Sequence, residues 1–220
     1  METGDRLNLT PQEQARVQQA VAAAEVLTSA EIVPMIVMRS GLYRDARYRS
    51  GLTVAVVVLT TLLTVEAAWL PWGWHAANAA WLLLATVVAY GIGYWMGRFD
   101  TIIRLFTSSD RMQHKVRLRA ERAFAQHGLS KTRDQTGVLI MLSLLEHQVC
   151  VLADTPLFER VPAGVWDHIV AEVVGQVKAG DVIGGLCRGI ERAGAALAQY
   201  CPPRPGNNPN ELPDELIQGS

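Results

Sequence analysis

Hydrophobic positions fall in three regimes along this chain: unbroken, helical and strand-like. Gly51–Leu70 and Ala76–Gly97 are two nearly unbroken apolar stretches, separated by Pro71-Trp72-Gly73-Trp74-His75. Each is about long enough to cross a bilayer's ~30 Å hydrocarbon core as a helix, which takes ~20 residues. A helix satisfies its own backbone polar groups there. Glu66 is the one ionisable residue of the first stretch, and Asn78 is the most polar side chain of the second. A transmembrane helical hairpin over 50–97 is predicted. The alternative is a helical hairpin buried in a soluble core.

Helical periodicity marks the regions on either side. Thr10-Pro11-Gln12-Glu13 reads as a capping box with Pro at the first helical position. Val17, Ala20, Val21 and Ala24 then recur on one face, up to about Leu27. After the hairpin, Ser108 or Ser109 can cap a helix running to Gln126, with Gly128 beyond its end. Met112, Val116, Ala120, Ala123 and Phe124 form its apolar stripe, and Arg111, Arg117, Arg119 and Arg122 line the other side, a solvated face near headgroups. Two more helices are expected, at Ala163–Lys178 before Gly180 and from an Asp181 N-cap to about Tyr200. Trp166 falls on one face with Ile169, Val170 and Val173, as a core anchor would.

Strand-like runs complete the pattern. Glu31–Met38 is short and β-branched, and its Pro34 lacks a ladder donor, which implies an edge position or a bulge. Val138–Leu145 is almost wholly apolar, as in a strand covered on both faces. Glu146-His147 is a tight connection to a returning strand, Gln148–Ala153. Helices can cover both faces of so small a sheet, which predicts a three-layer α/β/α sandwich with a mixed sheet. A lone helix–strand pair cannot bury itself, so the first helix and strand belong to this sheet and the hairpin is an insertion. Residues 201–220 form a Pro/Asn-rich tail.

Aromatic and basic residues bear on the hairpin. Trp69, Trp72 and Trp74 cluster at its turn, while Tyr43, Tyr48, Tyr94, Trp95 and Phe99 mark the other end, like the aromatic belts of the two water interfaces. Arg39, Arg44, Arg47 and Arg49 precede the first stretch and Arg98, Arg104 and Arg111 follow the second, whereas the turn has no Lys or Arg. The positive-inside bias puts both termini in the cytoplasm of a cell with the chain in its inner membrane. The same arginines can attract anionic headgroups. Glu66 is either an interfacial carboxylate or an intramembrane contact.

Composition narrows the function classes. The net charge of −1 over 220 residues gives no general attraction to nucleic acid. The opening residues lack an apolar core, so a cleaved signal peptide is not expected. Cys150, Cys187 and Cys201 are scattered and odd in number, as reduced cytosolic thiols would be. Among His75, His114, His127, His147 and His168 there is no pair at metal-binding helical spacing. Ser143 lies in an apolar strand without a nucleophile elbow, and no Walker-type loop is present.

Several segments together resemble the TPM domain family, named for a thylakoid lumen protein, a photosystem II protein and a worm protein. They are Leu9–Glu13 opening a helix, Ala30-Glu31-Ile32-Val33 as a strand, Asp134-Gln135-Thr136-Gly137-Val138-Leu139, and Lys178-Ala179-Gly180-Asp181. The resemblance covers a discontinuous domain, 8–39 and 105–200. The hairpin resembles that of a bacterial membrane subgroup associated with LemA-type membrane proteins. The family implies acid phosphatase activity, calcium binding, or assembly and repair of membrane complexes. Its Asp-Asn-Gly is here Asp134-Gln135-Thr136-Gly137, and its Gly-Tyr-Gly-like turn is Asp154-Thr155-Pro156.

Asp134, Asp154 and Asp181 all flank strand or helix ends, where hard cations find loop carboxylates. Asp134 and Asp181 map onto the family's motifs and are the candidate Ca²⁺ or Mg²⁺ ligands. Their alternatives are a loop carboxylate near Arg133 and a helix N-cap. The expected function is a non-catalytic, membrane-anchored interaction module that aids assembly or maintenance of membrane protein complexes. Its expected partners are the lipid bilayer and membrane proteins of the LemA type. The second reading is a metal-assisted phosphohydrolase at the membrane surface.

Overall fold

The computed structural model describes residues 9–69, 76–203, 212 and 215–219. The Trp-rich turn at 70–75, and with it Trp72, Trp74 and His75, lies outside the described residues, as does most of the Pro/Asn-rich tail. The chain divides into two compact units, Met1–Gly41 with Gln113–Ser220, and Leu42–Met112.

The first unit is an α/β domain. Helix α1 (Pro11–Leu27) starts at the expected capping box: the Thr10 N–H donates to Glu13 Oε2 at 2.8 Å and the Glu13 N–H to Thr10 Oγ1 at 3.3 Å. Its buried stripe is Val17, Ala20, Val21 and Ala24. Strands β1 (Glu31–Val37), β2 (Gly137–Ser143), β3 (Gln148–Ala153) and β4 (Ile217–Gly219) form one sheet in the order β3-β2-β1-β4. β1 is parallel to β2 and to β4, and β2 is antiparallel to β3.

β1 is therefore interior, not an edge, yet it carries Pro34. Backbone N–H groups alternate in direction along a strand. That of Glu31 points to Thr136 O, next to β2, while that of Ile32 bonds the Glu25 side chain on the opposite side. Pro34, two residues on, has its nitrogen on that same open side, and β4 pairs only from Met35 onward. The missing donor thus falls where no strand needs it.

Alternation along the strands splits the core in two. Ile32, Ile36, Val138, Ile140 and Leu142 pack with α1, α7 (Ala163–Lys178) and α8 (Val182–Leu197). Val33, Met35, Val37, Leu139 and Met141 pack with Val116, Ala120 and Ala123 of α5 (Ser109–Gln126). This is the expected three-layer arrangement. Trp166 is buried as a core anchor and stacks on Phe158 at 6.0 Å. β2 ends two residues earlier than its apolar run, because Leu144 and Leu145 donate their N–H groups to Val37 O and Met38 O in a four-residue loop, 144–147. A short helix, α6 (Thr155–Arg160), follows β3.

The second unit is a pair of helices, α2 (Arg44–Trp69) and α3 (Ala76–Met96), followed by the short α4 (Asp100–Phe106). At 1.5 Å per residue α3 is ~31 Å long. Ala55, Leu82 and Ala89 are buried between the helices, and Glu66 is buried in the unit as well, which fits a contact inside the hairpin better than a carboxylate reaching outward.

Backbones approach closely at Gly93. The Ser50 hydroxyl donates to Gly93 O at 2.7 Å, and a Cβ on Gly93 would lie 2.8 Å from both Ser50 O and Val54 Cβ. Gly93→Leu is expected to cost ~1–3 kcal/mol through overpacking, read as a lower thermal midpoint of the full chain in detergent. Gly91→Leu, where an added Cβ meets nothing within 4 Å, is expected to leave the midpoint unchanged.

Candidate functional site

The two carboxylates singled out as metal ligands are far apart. Asp181 follows Gly180, which ends α7 in the left-handed region at φ +92°, and caps α8: its Oδ1 accepts the Gly184 N–H at 2.8 Å. Asp134 sits in the turn before β2, exposed, within electrostatic reach of Cys201. Cys201 closes the other end of α8, donating its N–H to Leu197 O at 2.8 Å. The 16 residues of α8 span ~24 Å, whereas a calcium ion holds its ligands at about 2.3–2.6 Å. Asp134 and Asp181 thus belong to separate surroundings. Among the described residues no group of three or more His, Cys, Asp or Glu side chains could hold a metal ion.

Asp134 borders a polar end of the sheet. Thr28, Glu31, Thr132, Thr136 and Asp154 are all buried there. The Thr28 hydroxyl donates to Cys201 O at 2.7 Å, and that of Thr136 to Ser29 O at 2.9 Å. These bonds join the ends of α1 and α8 to the start of β2. Burial pushes the Cys201 thiol up; Arg160 draws it down and Asp134 opposes Arg160. A thiol held protonated is a packing group, not a nucleophile.

Asp154, at the N-cap position of α6, accepts the Gly137 N–H at 3.3 Å through Oδ2. Burial raises its carboxyl above the usual range, and the Gly137 bond partly offsets this. A folded-state pKa above the unfolded one means the folded chain holds the proton more tightly. The resulting stability is present below the unfolded pKa, ~3.9 for Asp, and is lost as pH rises through the folded one. Asp154→Asn keeps an oxygen for Gly137 and is expected to flatten that fall, leaving the variant at least as stable at neutral pH. Unfolding midpoints measured from pH 4 upward check this, and an unchanged slope would refute it.

The opposite end of the sheet holds residues that sequence reasoning missed. Glu146 is buried rather than at the tip of a tight turn. It accepts the Ser40 N–H at 2.9 Å and the Ser143 hydroxyl, while the Ser40 hydroxyl donates to Ser143 Oγ at 2.8 Å. His147 beside it is left-handed, with φ 51°. A cavity of about 250 Å³ opens next to this loop, walled by Leu142, Val149, Val174 and Val177, with His147 and Lys178 also lining it. The signal in the sequence was a carboxylate directly after an apolar run that becomes the buried strand β2.

The largest chemical feature is the surface of the helix pair. Leu52, Val56, Val57, Leu63 and Val65 of α2 and Leu83, Leu84, Val87, Val88 and Ile92 of α3 are all exposed. Both helices are long and apolar enough to cross a membrane, and only 17% of each apolar window is buried. A core helix of a soluble protein would have most of that surface covered.

Residues 100–196 match the family of TPM domains. That range runs from α4 through most of α8 and leaves α1 and β1 outside it. In structure the chain is similar to the BA42 protein of the psychrophilic bacterium Bizionia argentinensis, determined by NMR. The two are 20% identical, 97% of each chain is covered, and the TM-score is 0.60. At that identity the likeness speaks for the fold. No curated protein matches the chain.

Proposed function

We propose, from the premise that this chain carries a TPM domain over residues 100–196, that it is a membrane-anchored, non-catalytic interaction module. It would sit in the inner membrane and aid assembly or maintenance of membrane protein complexes. The observation that carries this reading is the exposed apolar surface of α2 and α3. Left in water, so many exposed Val and Leu side chains would be an association or aggregation surface. In lipid they face a matching solvent, and each helix meets the ~20-residue length requirement.

The arginines at one end of the helix pair, against none in the 70–75 turn, support cytoplasmic termini. The bilayer is then one partner and other membrane proteins, of the LemA type by family resemblance, are the others. A phosphohydrolase built on Asp134 and Asp181 would need them at one metal, and α8 separates them.

Three measurements on the full chain test the reading. The protein is expected to stay with vesicles through alkaline carbonate, a carboxyl-terminal reporter to be active only in the cytoplasm, and a mild-detergent preparation to retain a membrane protein in fixed ratio. Release by carbonate, a periplasmic reporter signal, or recovery as bare monomer would each count against it.

A further inference from the structure

We propose that the arginine-bearing end of the helix pair is a binding collar for acidic phospholipid headgroups, with α4 lying in the plane of the interface. The inference rests on the membrane reading above and adds a lipid class to it.

Charge comes first. Arg44, Arg47, Arg49, Arg98, Arg104 and Arg111 gather at this end, against Asp45, Asp100 and Asp110, which leaves a net charge of +3 (six minus three). Asp45 is already engaged by Arg111 at 2.7 Å, and both partners are more than half exposed. Arg47 is half-buried and the other five arginines are exposed. Guanidinium groups suit phosphate, which they can grip through two parallel N–H bonds.

Apolar and aromatic side chains share the surface with those charges. Tyr48, Trp95 and Phe99 are each more than half exposed, at 54%, 56% and 52%. Their rings pair along the helices: Tyr48 with Tyr94 at 5.6 Å, and Trp95 edge-on to Phe99 at 5.3 Å. Amphipathic rings of this kind sit at headgroup level.

α4 combines both properties. It turns off α3 through Gly97-Arg98-Phe99 and buries Ile103, while the neighbouring Leu105 is 74% exposed. The Arg49 guanidinium donates to Phe106 O at 3.2 Å, fixing the end of α4 to α2. A short helix with one residue held inside, an exposed leucine and an adjacent exposed arginine fits the boundary between acyl chains and headgroups. Charge complementarity and continuity with the apolar helix surface both select a lipid face. The net positive charge selects acidic over zwitterionic headgroups.

The test reconstitutes the full chain into vesicles of phosphatidylcholine with about one part in five of phosphatidylglycerol, re-extracts it in mild detergent, and quantifies the retained lipid. The ratio of retained phosphatidylglycerol to phosphatidylcholine is expected to exceed the bulk ratio roughly fivefold, the factor that ~1 kcal/mol per headgroup contact gives. The Arg44→Gln, Arg98→Gln, Arg104→Gln variant is expected to float with the vesicles but retain lipid at the bulk ratio. Arg188→Gln with Arg192→Gln, on α8, is expected to keep the enrichment. Should the triple variant misfold, each single variant reads the same ratio and is expected to lower it in part. Flotation of the unmodified chain with lipid at the bulk ratio overturns the collar alone. Failure to float with any vesicle overturns the membrane reading beneath it.

Discussion

Val57→Arg combined with Leu84→Arg is expected to move the protein from the carbonate-resistant membrane fraction to the wash, or to abolish its accumulation. Both side chains point outward, 58% and 64% exposed. Both lie six or more residues in from the Gly51 and Gly93 end of the helix pair, near the middle of the apolar surface. An arginine at the centre of a membrane helix costs about 2.5–3.5 kcal/mol on the insertion scale, so two cost ~5–7 kcal/mol. The same changes discriminate between the readings of the hairpin. On a helix surface in water, exposed substitutions stay within about 0.5 kcal/mol, and the variant would behave as the unmodified chain does. Fractionation of both proteins in parallel decides it. A variant that stays in the pellet beside an equally retained unmodified chain would refute burial of this surface in lipid.

Local signals wrote most of the α/β layer plan into the sequence. The capping box at Thr10, the stripe through Ala24 and the strand Gln148–Ala153 are all found at the expected residues. They were legible because periodicity and caps act over a few residues. What escaped depends on contacts far along the chain. β4 is three residues at the end of the tail, paired with Met35–Val37, and nothing in Ile217-Gln218-Gly219 announces a strand. The interior position of β1 follows from β4 and was hidden with it. Pro156 reads as a turn residue but stands within the first turn of α6, where a missing N–H is harmless. α4 is a single short segment after a Gly-Arg-Phe break, too brief for a period to emerge.

The site was less legible than the fold, for the same physical reason. Asp134 and Asp181 look equivalent as loop carboxylates, and only the course of α8 puts them at its two ends. Asp181 does what its position predicts for a cap. Glu146 misleads in the other direction. A charged residue between two strands suggests a solvent-exposed tip, but the loop has four residues rather than two, and this turns the carboxylate back over the end of β2.

That inward carboxylate makes Glu146→Ala the substitution with the largest expected cost to the α/β unit. Its two oxygens accept from the Ser40 N–H and from the Ser143 hydroxyl, and Ser143 is fully buried at 0% exposure. Alanine leaves both donors without that acceptor. A buried donor stripped of its partner costs ~1–3 kcal/mol, so the pair costs ~2–6 kcal/mol. At roughly 2–4 °C per kcal/mol for a domain of this size, the thermal midpoint falls by about 10 °C. Glu146→Gln keeps an acceptor oxygen and the side-chain shape, and is expected to recover more than half of the loss. Ser143→Ala added to Glu146→Ala removes one stranded donor with the acceptor, so the double variant is expected to be less destabilised than the sum of the two singles. Circular dichroism melts of the four proteins measure this coupling directly. Additive losses would mean that the Ser143–Glu146 bond contributes nothing, and that the carboxylate is held inward by packing alone.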